Sequence, residues 1–163
     1  MPAIAYPGCI RRLYESEVNG EAIYSALLAV AKSERDRYHL ATLLQLETET
    51  KAWLQPFLFK HRVALTSPDI RAFVEGAVQL YLEKGWQGLM FGARQIVVRA
   101  LADFEAIVAV GPPEDVEFLV GMVDHEKAIQ NWIEGELAGK GDASLEGVIA
   151  KLRHPIPKND ADT

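Results

Sequence analysis

Residues 40–54 read Leu-Ala-Thr-Leu-Leu-Gln-Leu-Glu-Thr-Glu-Thr-Lys-Ala-Trp-Leu, and they introduce the pattern of the whole chain. Each residue of an α-helix turns the chain by about 100°, so residues three, four and seven apart share one face. One apolar stripe then consists of Leu40, Leu43, Leu44 and Leu54. Glu47 falls near the middle of that stripe. The stretch therefore predicts an amphipathic helix that directs an acid toward the core.

The same spacing recurs almost from end to end, and Pro or Gly gathers at only a few points between the repeats. Ser33 suits the N-cap of the helix that contains residues 40–54, and that helix tolerates Pro56 or kinks there. Four long helices are predicted at roughly residues 10–32, 34–60, 86–110 and 114–137. Shorter helices are predicted over roughly 67–85, starting at Ser67-Pro68, and over roughly 144–153.

These elements predict one all-α domain over residues 1–163, because a chain of this length buries a single core. Two tight connections and one long link, residues 61–85, give the order of a four-helix bundle with a crossover connection that contains a short helix. The core bundle is expected at about residues 10–137. The tail over about 154–163 is expected to be mobile.

The composition limits the classes of function. Lys and Arg number 17 against 23 Asp and Glu, a net charge of −6, which argues against a broad electrostatic grip on nucleic acid. No apolar run approaches the roughly 18–20 residues that span a bilayer, and the first residues do not resemble a secretion signal. Cys9 is the only cysteine, which excludes an internal disulfide and a CxxC metal site. We expect a cytoplasmic protein without nucleic-acid or membrane partners.

Every long helix carries an ionisable residue on its predicted inward face. Glu17 and Glu21 share the arc of the first helix with Ile10, Leu13, Tyr14, Tyr24, Leu28 and Ala31. Glu105 shares the face of the third long helix with Phe91, Val98, Leu101, Ala102, Val108 and Ala109. His125 and Glu126 flank a band on the last long helix that consists of Phe118, Met122, Ile129, Trp132 and Ile133. Ionisable groups from four helices are therefore predicted to point at one interior.

Three interpretations of these residues remain open. A single glutamate can be a helix-edge residue that reaches solvent. The group can also be a buried salt-bridge network, in which Lys51 neutralises Glu47 and Arg94 serves Glu105. The third interpretation is a metal site, because core acids are rare unless they are paired or coordinate an ion. His125 can equally be a core histidine that is hydrogen-bonded to a carboxylate or a metal ligand.

Three segments resemble the ferritin-like superfamily, whose four-helix bundles hold carboxylate-bridged pairs of iron or manganese ions. They are Glu-Ser-Glu-Val-Asn-Gly-Glu-Ala at 15–22, Leu-Glu-Thr-Glu-Thr at 46–50 and Asp-His-Glu-Lys-Ala at 124–128. In that family two helices each give a lone glutamate, and the other two each give Glu-x-x-His. The resemblance covers the predicted core bundle and implies as ligands Glu21, Glu47, Glu105 and His125.

Two departures reduce the ligand set that the family pattern implies. Thr50 stands where the motif of the second helix has His, and Met122 stands where that of the last helix has Glu. Glu17 and Glu126 are the remaining carboxylate candidates. A site with mostly oxygen ligands favours harder ions such as Mn²⁺, Mg²⁺ or Fe over zinc, and with the resemblance we expect Fe or Mn, bound as two ions or one.

The resemblance implies two functions, between which the sequence does not decide. The first is a metal-dependent oxidoreductase that acts with O₂ or peroxide beside a small-molecule pocket lined by Tyr24, Phe91 and Met122. The second is a ferritin-like scaffold without metal that acts as a binding or assembly module. In either case we expect a homo-oligomer, for which Trp53 and residues 85–90 offer a dimer surface.

Overall fold

The computed structural model describes residues 5–158, and every regular element in that range is a helix. The α-helices are α1 (Tyr6–Val30), α2 (Glu34–Lys60), α3 (Arg71–Val110), α4 (Val116–Leu137) and α5 (Glu146–Ile149). Single 3₁₀ helices at Pro113–Asp115 and Gly141–Leu145 precede α4 and α5. The predicted all-α class is confirmed. Residues 159–163, the end of the predicted mobile tail, lie outside the described residues.

The ends of the first two helices follow local chemistry. Ser33 caps α2 as predicted, because its Oγ accepts the backbone N–H of Asp36 at 3.0 Å. Pro56 lies inside α2, which continues to Lys60. The first helix starts four residues earlier than predicted, since Pro7 fits the first turn, where a backbone N–H has no helical acceptor.

A sharp bend at Gly85 divides α3 into two parts, residues 71–84 (the connector arm) and residues 86–110 (the long arm). Gly85 has φ 67° and ψ −167°, a conformation that favours glycine because it lacks a Cβ. The start predicted at Ser67-Pro68 is wrong. The helix begins at Arg71, whose backbone N–H is accepted by the Asp69 carboxylate at 3.3 Å.

The inward face predicted for the long arm is wrong. Phe91 is 59% exposed and Val98 is exposed as well, whereas the buried residues of α3 are Tyr81, Leu89, Met90, Val97, Phe104 and Ile107. Apolar residues occur on both sides of this segment, so helical spacing does not decide which side packs. The long arm therefore turns its other apolar side toward the interior.

The C-terminal part is less helical than predicted. Instead of one helix over residues 144–153, α5 is a single turn that follows a 3₁₀ helix. The hydroxyl of Ser144 donates to Glu136 of α4, which anchors the 3₁₀ turn. The backbone N–H groups of Arg153 and His154 donate to Glu49 at 2.7 and 2.9 Å, so this segment contacts α2.

Helix α1 packs against α2 and α3, and α3 packs against α4. The buried apolar side chains form two clusters, one around Trp132 and one around Met122. Along α1, α2 and α4 the two clusters occupy opposite ends, and Glu17, Glu47, His125 and Glu126 fall between them. Among the described residues, no helix is long and apolar enough to cross a membrane.

Candidate metal centre

Three helices bring Glu17 of α1, Glu47 of α2 and His125 of α4 together between the two apolar clusters. Their exposed fractions are 1%, 4% and 3%. His125 Nε2 lies 3.2 Å from Glu17 Oε2 and 3.8 Å from Glu47 Oε2. One potential ligand atom from each residue lies within 4.8 Å of the other two. The three side chains therefore surround a common point.

Two atoms at this point lack a hydrogen bond. Glu17 Oε2 and His125 Nε2 are both buried, and neither has a hydrogen-bond partner among residues 5–158. Buried polar atoms in folded proteins are nearly always paired, because an unpaired one loses its bond to water without compensation. A proton or a cation held between them would satisfy both atoms.

Burial governs the charge of the three side chains. It raises the pKa of Glu17 well above its ordinary value, and the Glu47 carboxylate adds to that shift. Burial also raises the pKa of Glu47. It lowers the pKa of His125 to about 3, with a smaller contribution from the charge of Lys151. The contacts between the imidazole and the carboxyls are thus not an ion pair, and His125 is in the neutral form that binds metals.

Thr50 contacts the other nitrogen of the same imidazole. Its Oγ1 lies 3.1 Å from His125 Nδ1. A hydrogen bond from Nδ1–H to this hydroxyl leaves the lone pair of Nε2 directed at Glu17 and Glu47. The sequence marks Thr50 as a departure from the family motif, yet its position one turn after Glu47 places it where it can orient the histidine.

Gly20 is a second residue that the sequence did not single out. A Cβ at this position would lie 2.4 Å from the carboxyl carbon of Glu47 and 2.6 and 2.7 Å from its oxygens. Any other residue at Gly20 would therefore displace the Glu47 carboxyl. A glycine one turn after a core acid is the signal in the sequence for this close approach.

Glu126 is buried beside the same site but is not one of the three converging residues. Burial raises the pKa of Glu126 to about 7. Its charge contributes to the raised pKa values of Glu17 and Glu47, for both of which burial is the largest cause. It is thus a fourth carboxyl within electrostatic range of the centre.

Glu21 lies apart from the three converging residues. It accepts hydrogen bonds from Lys51 and, at 2.8 Å, from Thr48. Burial alone would raise the pKa of Glu21, but these hydrogen bonds outweigh it and hold the pKa below its ordinary value. The cation predicted to neutralise Glu47 therefore pairs with Glu21 instead.

Glu105 also lies away from the site, because the long arm is rotated from its predicted orientation. Its side chain is 54% exposed and lies 3.8 Å from the ammonium group of Lys127. The predicted pairing of Arg94 with Glu105 is wrong as well, since Arg94 contacts Glu134 at 2.6 Å. The third long helix thus supplies no acid to the converging group.

A cavity of about 440 Å³ adjoins the site, and Glu47 and Glu126 form part of its wall. Tyr24 lines it as predicted, with its ring edge-on to Trp132 at 6.3 Å between centroids. Phe91 and Met122 were predicted to line it but do not. Phe91 points to solvent, and Met122 is buried in its own apolar cluster, whereas the cavity adjoins the cluster around Trp132.

The donor set fits a single divalent ion better than the complete family pattern, which takes a second histidine and a carboxylate from every helix. Two carboxylates and one neutral imidazole converge, and two of their atoms lack partners within the described part of the chain. Comparison with known protein families, with curated proteins and with solved structures finds no match to this chain. The resemblance to the ferritin-like superfamily therefore stays a prediction.

Proposed function

We propose that this protein binds a divalent transition-metal ion between Glu17, Glu47 and His125 and uses it in oxidation by O₂ or peroxide. The observation that supports this most directly is the pair of buried, unpartnered atoms, Glu17 Oε2 and His125 Nε2. Carboxylate oxygens together with one imidazole favour Mn²⁺ or Fe²⁺. When bound, such an ion supplies Lewis acidity and one-electron chemistry.

The alternative of a salt-bridge network is weaker, because no cation reaches the centre. Within residues 5–158 no lysine or arginine forms an ion pair with Glu17 or Glu47. In the described part of the chain, the basic side chain that contacts these two glutamates is His125, and burial keeps its imidazole neutral. A bound cation would displace protons from these carboxyls and pair with the ionised groups.

The protein's own groups have distinct parts in this proposal. Thr50 holds the imidazole so that Nε2 faces the carboxylates. Gly20 lets the Glu47 carboxyl reach the centre. Glu126, with its pKa raised by burial to about 7, can hold a proton beside the site near neutral pH.

We also propose the ferritin-like arrangement for the fold, with α1, α2, the long arm of α3 and α4 as the four bundle helices and the connector arm as the crossover. A metal-free assembly module is the second candidate function. The exposed apolar side chains of the long arm favour it, namely Phe91, Ile96, Val98 and Val110. Trp53 is exposed as a dimer surface requires, but Trp86 donates its indole N–H to Glu136 at 2.6 Å.

Equilibrium dialysis against Mn²⁺, and against Fe²⁺ without oxygen, tests the proposal, with the bound metal measured by elemental analysis. We expect about one ion per chain and a higher melting temperature, because a ligand that binds only the folded state stabilises it. Gly20→Ala should abolish binding without unfolding the protein. Gly147→Ala is the matched control, since a Cβ there meets nothing within 4 Å. Full binding by both Gly20→Ala and His125→Ala would contradict the proposal.

A further inference from the structure

The cavity beside the candidate metal centre has two chemically different walls. Both arms of α3 contribute only apolar side chains and glycine to it, among them Phe73, Leu80, Met90 and Ile96. The wall formed by α1, α2 and α4 includes polar side chains, namely Ser16, Asn19, Tyr24, Glu47 and Glu126. The polar wall is the one that includes a residue of the candidate metal centre.

The chain does not fill this space with its own side chains. Three of the residues by which the connector arm lines the cavity are small, namely Ala72, Gly76 and Ala77, and a Cβ at Gly76 would meet nothing within 4 Å. Phe73 and Ile96 line the cavity and are exposed. An apolar molecule in the cavity would remove these side chains from water, which is favourable in proportion to the apolar area covered.

One polar atom of the cavity lining lacks a partner. The Oδ1 of Asn19 is buried and has no hydrogen-bond partner in the described range 5–158. As an acceptor, it requires a donor, which a hydroxyl group of a bound molecule would supply. The cavity thus pairs an apolar body with a polar end at which one buried acceptor is unpaired.

The lining limits the charge of an occupant. Within residues 5–158 no lysine, arginine or histidine lines the cavity, so in the metal-free protein an anion would be buried there without a partner. A permanent cation would lose its hydration in a largely apolar space. From the two walls and Asn19 we infer that the cavity binds a neutral, mainly apolar molecule with a hydroxyl end. This inference rests on the proposed function, because it names the substrate class of that metal centre.

Three probes with one alkyl chain and different ends test the inference: 1-decanol, decanoate and decylamine. Binding to the full chain is measured by calorimetry and by tryptophan fluorescence, since Trp132 lines the cavity. The titrations are made on metal-free protein and again in the presence of Mn²⁺. We expect 1-decanol to bind at least about tenfold more tightly than either charged probe. Equal or tighter binding of decanoate or decylamine would overturn the inference.

Gly76→Leu places a side chain in the open part of the cavity and should abolish binding of 1-decanol while Mn²⁺ binding is retained. Gly147→Leu is the matched control, because that position is open but does not line the cavity. Ala77→Phe fills the same wall if the first variant fails to fold. Unchanged 1-decanol binding in a folded, cavity-filled variant would overturn the inference. Binding of 1-decanol by a wild-type protein that does not bind Mn²⁺ would instead refute the metal-dependent function alone.

Discussion

Glu136 and Glu17 are both buried glutamates beside a histidine, but only Glu136 has a complete set of hydrogen bonds. It accepts from Arg35 at 2.7 and 2.9 Å, and from the indole N–H of Trp86 and the hydroxyl of Ser144. The neighbouring His39 accepts the indole N–H of Trp132 at 3.0 Å. At Glu17, by contrast, a buried oxygen faces a buried imidazole nitrogen and neither is bonded.

The electrostatics of the two glutamates differ in the same way. Burial alone would raise the pKa of Glu136, but hydrogen bonds from Ser144, Arg35 and Trp86 outweigh it and lower the pKa. For Glu17 burial prevails, and the pKa is raised. A buried acid next to a histidine on a facing helix can therefore have one of two roles. Where hydrogen-bond donors surround it, the acid links the helices together. Where donors are absent, the acid can bind a ligand.

The largest effect is expected from Glu136→Gln. Each carboxyl oxygen of Glu136 accepts from two donors, so an amide in either orientation directs its NH₂ group at a donor. Glu136 is buried and Arg35 is 38% exposed, and the loss of such a charge-assisted hydrogen bond lowers the free energy of unfolding by about 2–3 kcal/mol. Urea denaturation at pH 7 measures this loss, and Mn²⁺ binding should be unchanged. A loss below about 1 kcal/mol would show that the cluster is not structural.

The pH dependence of stability is expected to have opposite signs at the two sites. Burial raises the folded-state pKa of Glu126 to about 7 from 4.5, so its contribution is fully present below pH 4.5 and is lost as the pH rises to about 7. In the metal-free protein Glu126 alone should therefore remove on the order of 2 kcal/mol of the free energy of unfolding between pH 5 and 8, and the raised pKa values of Glu17 and Glu47 add to that loss. Glu136 has a lowered pKa, so its contribution is lost only in acid, below its ordinary range.

Urea denaturation across this pH range, with wild-type protein and Glu126→Gln, measures the slope. The variant should lose less stability between pH 5 and 8, because an amide does not titrate. Identical slopes for the two proteins would contradict the assignment to Glu126. Saturating Mn²⁺ should reduce the slope as well, since a bound cation favours ionised carboxylates at the centre.

A smaller effect of opposite sign to that of Glu136→Gln is expected from Glu17→Gln. At pH 8 the folded chain must either bury the charge of Glu17 or take up a proton, and an amide avoids both costs. Without metal the variant should be more stable than the wild type at pH 8 and equally stable at pH 5. Stabilisation by Mn²⁺ should disappear. A variant that is less stable at pH 8 would indicate that Glu17 has a structural role like that of Glu136.

Much of the fold and part of the candidate site could be predicted from the sequence. Helix α2 carries its buried leucines on one side, so the rotation of the helix about its axis follows from the sequence and Glu47 faces inward as expected. The long arm of α3 is apolar on both sides, and only packing against α1 and α4 selects the buried one. The partner of Lys51 was equally undetermined, because a long side chain can reach acids on more than one helix. The role of Gly20 depends on how closely α2 approaches α1.

The smallest effect is expected from Glu105→Ala, at the acid that the sequence assigned to the site and the structure places outside it. Its contact with Lys127 is 3.8 Å long and both side chains are about half exposed, so solvent screens the pair. The free energy of unfolding should change by less than about 0.5 kcal/mol. Mn²⁺ binding, measured by dialysis beside Glu47→Ala, should be that of the wild type, whereas Glu47→Ala should not bind. Loss of metal from Glu105→Ala would mean that the long arm rotates when the ion binds, and the predicted inward face would then describe the metal-bound protein.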